Sequence, residues 1–109
     1  MSELFATLGR AHTLDILHLF LSRRPTPVRF IEIQEGLRLS PNTVSERLKT
    51  LVEVGLVART VYHEVPPRVE YAVTPKLLDL EPVFSSLTTW AQRNDLRSAS
   101  IASPGVGAR

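Results

Sequence analysis

Cysteine is absent from this chain of 109 residues. Disulfides, thiolate metal sites, cysteine nucleophiles and thiol-based redox sensing are therefore excluded for the unmodified polypeptide. No apolar run approaches the roughly 18 residues that a membrane-spanning helix needs. Glycine is scarce, at five residues, and neither a phosphate-cradling glycine loop nor a nucleophile elbow is present. The three histidines are scattered: His12 and His18 fall on different helix faces, and His63 lies far along the chain. No metal-ligand spacing results, so neither a metal, a cofactor nor an enzymatic activity is expected. A strong charge of one sign is missing too, since the net charge is only +2. That argues against an architectural DNA binder relying on many phosphate contacts.

What is present fits one globular domain with a modest core. The apolar fraction is 43% and the mean hydropathy is near zero. The first residues carry an acidic side chain and an amphipathic pattern rather than a secretory signal, so the expected address is cytoplasmic. Basic residues concentrate mid-chain. Between Arg23 and Arg68 stand eight of them (Arg23, Arg24, Arg29, Arg38, Arg47, Lys49, Arg59, Arg68) against five acids (Glu32, Glu35, Glu46, Glu53, Glu64). A mild basic stripe of this kind permits contact with nucleic acid.

The most informative stretch runs from Ser40 to Gly55. Ser40 can accept hydrogen bonds from first-turn amides, and Pro41 suits the first helical position. Gly55 can take the left-handed conformation that ends a helix. Between them, Val44, Leu48 and Leu51 form a narrow apolar seam. Asn42, Glu46, Lys49 and Glu53 point the other way, flanked by Thr43, Ser45 and Thr50. Those side chains suit base edges in a major groove, although an ordinary surface helix can carry the same residues.

The rest of the chain gives that helix its context. A short helix is expected over Ser2 to Leu8, with Ser2 as its cap and Gly9 as its end. A second is expected from about Ala11 to Leu21. Its apolar positions (Leu14, Ile16, Leu17, Leu19, Phe20, Leu21) cover most of the circumference, which predicts burial in the core or against a second copy. Asp15 and His18 are i, i+3 neighbours suited to pairing. Arg23 to Pro27 reads as a proline-stiffened connector. Phe30, Ile33 and Leu37 mark a further short helix leading into the Ser40 cap, and the two helices make a helix-turn-helix. After Gly55 the period changes: Leu56–Val65 and Val69–Val73 read as two antiparallel strands, with Pro66-Pro67 at the tip and Arg68 projecting beside it. Such a ribbon is a wing. Thr74-Pro75 opens another helix toward Leu80, and Pro82 kinks or restarts it, with Val83, Phe84, Leu87, Trp90 and Ala91 at helical spacing. The expected fold is mostly α with a two-stranded antiparallel wing, a winged helix-turn-helix over residues 1–94. A Ser/Ala/Gly-rich tail, residues 95–109, has a flexible composition.

Three segments carry a resemblance to a known family. They are Arg29-Phe30-Ile31-Glu32-Ile33, Leu39-Ser40-Pro41-Asn42-Thr43-Val44-Ser45-Glu46-Arg47-Leu48, and the wing from Gly55 through Val65-Pro66-Pro67-Arg68-Val69-Glu70-Tyr71. From about Leu8 to Ala91 the chain resembles the HxlR family of winged-helix transcriptional regulators. The resemblance implies a homodimeric, cytoplasmic regulator of double-stranded DNA, paired through its terminal helices. It departs from the family pattern at Gly9-Arg10-Ala11-His12-Thr13, where His12 stands in place of a tryptophan. Some members sense electrophiles through a cysteine ahead of this run, a mechanism this chain cannot use.

Candidate DNA contacts fall into three groups. Asn42, Thr43, Glu46 and Lys49 are expected at base edges, in a helix spanning residues 41–54. Glu46 can accept from a cytosine amine or repel phosphates. Ser40, Ser45, Arg47 and Arg29 are expected at phosphates. Arg47 lies nearer the seam, where pairing with Glu32 or Glu35 is the alternative. On the wing, residues 57–73, Arg68 is the candidate minor-groove or phosphate contact, with Arg59 further down the ribbon. A dimer would read an approximately palindromic operator. His12 and Trp90 could line a small-molecule effector pocket, though nothing in the sequence supports an effector over plain packing. The competing function is a winged helix that binds a protein partner on the same face.

Overall fold

A computed structural model describes residues 1–96. The elements follow the order α1 (Ser2–Leu8), α2 (Thr13–Arg23), α3 (Phe30–Leu37), α4 (Pro41–Glu53), β1 (Val57–Tyr62), β2 (Arg68–Val73), α5 (Pro75–Leu78) and α6 (Glu81–Arg93). This is the winged helix-turn-helix that the periodicity predicts. The tail expectation lies, from residue 97 onward, outside the described residues.

One core holds the helices and the wing together. α2 contributes Ile16, Leu17, Phe20 and Leu21, α3 gives Ile33, and α4 gives Val44, Leu48 and Leu51. Val28, Leu56, Val57 and Leu77 close it. The apolar breadth of α2 is thus mostly absorbed within the protomer, with Leu14 left 41% exposed.

α4 is fixed at both ends by the residues its sequence supplies. The Ser40 hydroxyl accepts from the Thr43 N–H at 3.2 Å and donates to the Thr43 hydroxyl at 3.0 Å. At the far end Gly55 adopts φ +82°, and the Leu56 N–H reaches back to the Leu51 carbonyl at 2.9 Å. Any side chain at Gly55 would strain this turn. The α5 region then seals the same end. The Thr74 hydroxyl donates to the Gly55 carbonyl at 2.6 Å, and Lys76 Nζ donates to the Val54 carbonyl at 2.6 Å. A cation at the carbonyl end of a helix also complements its dipole.

The wing pairs in antiparallel register from Val57↔Val73 to Tyr62↔Arg68. A third piece of backbone joins it: Val28 and Tyr71 exchange both N–H···O bonds, at 2.7 and 2.8 Å. Sequence reading misses this bridge because a single paired residue beside Pro27 has no period to detect. It anchors the base of a ribbon that would be marginal alone.

Several local expectations are corrected. Met1, not Ser2, precedes the first turn of α1, and no side-chain cap forms there. α2 begins two residues later than expected, after His12 takes a left-handed φ of 71°. Asp15 does not capture His18, whose ring instead stacks on Phe84 with centroids 6.1 Å apart. The first strand stops at Tyr62 and the second starts at Arg68, because the residues around Pro66-Pro67 turn rather than pair. α5 is a single turn, and Pro82 sits in the first turn of a new helix, α6.

Candidate nucleic-acid interface

The seam of α4 faces inward, so its opposite flank is bare. Asn42, Ser45, Glu46, Lys49 and Glu53 are all exposed, and Thr43 is half-buried through its bond with Ser40. This is the arrangement expected of Val44, Leu48 and Leu51 packing at i, i+4 and i+7. Ser40 is exposed at the N-terminus of the helix, where unpaired amides favour an anion.

Cations stand on both sides of this flank. On the wing side, α4 and the ribbon enclose a groove of about 340 Å³ lined by Phe30, Ser45, Leu48, Lys49, Val52, Glu53, Arg59 and Tyr71. Arg59 is exposed and pairs across the ladder with Tyr71, so both point to the ribbon face that meets α4. Alternation along the strand dictates this: Val57, on the same face, is buried in the core. Arg59 and Lys49 therefore line one groove, a proximity that residues ten apart in two different elements do not announce. On the other side, Arg10 lines a shallow depression with Glu46, Lys49, Thr50 and Glu53. Sequence reasoning left Arg10 out, since it belongs to the α1–α2 turn and only the fold brings it beside α4.

Two arginines are tied to neighbours within the protomer. Arg47 Nε donates to the Ala11 carbonyl at 2.8 Å, and its Nη1 lies 3.3 Å from Glu46 Oε1. Its side chain is only 13% exposed, and the pairing expected with Glu32 or Glu35 is replaced by these bonds. Glu32 is engaged elsewhere. It accepts from the Arg29 N–H at 2.7 Å and lies 3.5 Å from Arg23, which leaves the Arg29 side chain at the exposed start of α3. The Arg29 amide first, then the Arg23 charge, hold the Glu32 carboxyl below its ordinary range. Arg68 does not project from the wing tip. Its guanidinium is shared by Glu64 at 3.1 Å and Glu70 at 3.4 Å, and it lies 4.1 Å over the Tyr62 ring.

A second bare surface is apolar. Leu4 and Phe5 of α1, Leu14 of α2, and Val83 and Leu87 of α6 line a cleft of about 310 Å³. Phe5 is 67% exposed, Leu87 50%, and Trp90 further along α6 47%. His12 is exposed at the start of α2. Among the described residues, no group of three His, Cys, Asp or Glu could hold a metal, and no helix is long and apolar enough to cross a membrane.

Known proteins share this fold. The profile of the HxlR-like helix-turn-helix family matches residues 9–98. The HTH-type transcriptional regulator YodB of Bacillus subtilis is 34% identical over 94 residues, which are 85% of this chain and 81% of YodB. The HTH-type transcriptional regulator BH0655 of Halalkalibacterium halodurans is 36% identical over 77 residues, 70% of this chain and 68% of that one. The structure of the reduced form of B. subtilis YodB superposes with a TM-score of 0.76 at 32% identity, covering 90% of this chain and 94% of YodB. The chain therefore belongs to the HxlR-like helix-turn-helix family and is a transcriptional regulator of the winged helix-turn-helix type.

Proposed function

We propose that the chain is a sequence-specific binder of double-stranded DNA that acts as a homodimer. α4 enters the major groove, and the wing, residues 57–73, lies on the flanking minor groove or backbone. Asn42, Thr43, Glu46 and Lys49 meet base edges, and Ser40, Ser45, Arg29 and Arg59 meet phosphates. Arg10 joins the phosphate group from the side opposite the wing. Arg47 and Arg68, placed among the DNA contacts by sequence, would reach a phosphate only by giving up the bonds they make to neighbouring residues.

The observation that carries this reading is the bare polar flank of α4, bordered by Arg59 on one side and Arg10 on the other. The apolar surface of α1 and α6 supports the dimer, since half-exposed leucines and a tryptophan on one face favour a covering partner. Two copies of α4 would engage half-sites about 34 Å apart on an approximately palindromic operator. A cytoplasmic location follows from that role.

The test is an anisotropy titration of the full chain against a labelled duplex enriched from a random pool, at several salt concentrations. Specific binding predicts a preference over random duplex and a steep decline of log affinity with log salt. Absence of both would transfer the bare face of α4 to a protein partner. Analytical ultracentrifugation tests the dimer: a monomer at micromolar concentration would remove it.

A further inference from the structure

We infer that Arg68 is the positioning residue of the wing and makes no contact with DNA itself. The inference rests on the DNA-binding reading above and concerns what the wing's second arginine does within it.

Register and alternation set the two wing arginines on opposite faces. Arg59 pairs with Tyr71 and shares the face of Val57, which looks toward α4. Arg68 pairs with Tyr62, and Thr60 pairs with Glu70. These four belong to the alternate positions, on the outer face of the ribbon. From there Arg68 cannot line the groove that holds Lys49 and Arg59.

Both of its terminal nitrogens are also engaged without a ligand. One terminal nitrogen meets Glu64 before the tip, the other meets Glu70 on β2, and the guanidinium carbon lies over the Tyr62 ring on β1. A single planar cation thus joins the two strands and the turn between them. The Arg68 Nε is enclosed and has no hydrogen-bond partner, so it too is withdrawn from solvent. Two carboxylates against one guanidinium leave this outer face with a surplus of negative charge, which repels phosphate. A lysine could replace the charge but not the fork that reaches both carboxylates.

Arg68 therefore sets the pitch of the ribbon about its base, where Val28 pins Tyr71, and so sets where Arg59 sits relative to α4. Truncation should let the outer half of the wing wander while α4 and the core remain as they are.

The experiment compares wild type, Arg68→Ala, Arg68→Lys and Arg59→Ala, each as the full chain, with the enriched duplex. Arg59→Ala should lower the salt slope by about one, the mark of a lost phosphate contact. Arg68→Ala should weaken binding and lower the slope by no more than Arg59→Ala does, because Arg59 loses its place, and Arg68→Lys should restore neither. Hydroxyl-radical protection of the flanking sugars should fade in both Arg68 variants while protection over the α4 half-site persists. A slope lowered by about one in Arg68→Ala, restored by Arg68→Lys, would overturn the proposal and make Arg68 a phosphate ligand. Affinity and footprint equal to wild type would overturn it as well. Amide exchange of the free protein gives a readout without DNA: the ladder amides of Thr60, Tyr62 and Glu70 should exchange faster in both Arg68 variants than in wild type or Arg59→Ala. Unchanged exchange there would end the positioning role, whereas failure of the wild type to prefer its enriched duplex would end the DNA-binding reading instead.

Discussion

Two surfaces of this protein are left bare, and they differ in kind. The flank of α4 carries Asn42, Ser45, Glu46 and Lys49, groups that water solvates at no cost. The face built by α1 and α6 carries Leu4, Phe5, Val83, Leu87 and Trp90, groups that water disfavours. A polar flank can stand open until a partner arrives, and contact there is a matter of matching hydrogen bonds. An apolar face of this breadth is unfavourable whenever open, so its partner should be present most of the time. On the proposed function, the difference would separate a reading surface that engages transiently from an assembly surface that stays covered.

Making the apolar face polar should have the largest effect. Leu87→Glu buries a charge in any paired interface, so it should give a monomer by sedimentation. Loss of the second half-site should then weaken operator binding by about 10²–10⁴-fold through lost avidity. A monomeric variant that binds as tightly as wild type would mean that each protomer reads alone.

A smaller effect is expected on the polar side. Asn42→Ala should leave the sedimentation coefficient and the melting temperature unchanged. It should relax preference at one base pair by roughly 1–3 kcal/mol, measured with single-substitution duplexes. An equal loss on all sequences would move Asn42 from base reading to backbone contact.

Smaller again is the cap. Ser40→Ala removes the acceptor for the Thr43 amide and should lower unfolding free energy by about 1 kcal/mol in a denaturant titration. The start of α4 is both a structural end and an expected phosphate site. Stability lost without any change in DNA affinity would assign Ser40 to the fold alone.

The smallest effect concerns Glu32, whose carboxyl is held below its ordinary range chiefly by the Arg29 amide and then by Arg23. A lowered folded-state pKa stabilises the protein at pH values above the unfolded pKa. That contribution is lost as pH falls from the ordinary carboxylate range through the lowered value. Both partners are largely solvated, so the effect is slight. Glu32→Gln should flatten this part of the acid-unfolding curve, and an unaltered curve would place the acid sensitivity elsewhere.

The architecture was legible wherever one residue type has one job. Ser40, Pro41 and Gly55 bracketed α4 because capping, a missing N–H and a positive φ each admit few residues. The wing followed from β-branched alternation broken by two prolines. Connections between distant segments were not legible. Arg47 finds the Ala11 carbonyl 36 residues away, and no local pattern encodes that. The same limit hid the Val28–Tyr71 bridge and the placement of Arg10. Arg68 illustrates a further gap. Its position beside Pro67 suggested an exposed tip, but Glu64, Glu70 and Tyr62 are close enough to claim it first.

On the proposed function, the open flank of α4 reads duplex DNA. The most direct test is a titration of the wild-type chain against its enriched duplex and against random duplex, repeated across a salt series. On that function, markedly tighter binding to the enriched sequence and a steep fall in affinity as salt rises are expected. Equal, salt-insensitive binding to both duplexes, or none to either, would contradict it.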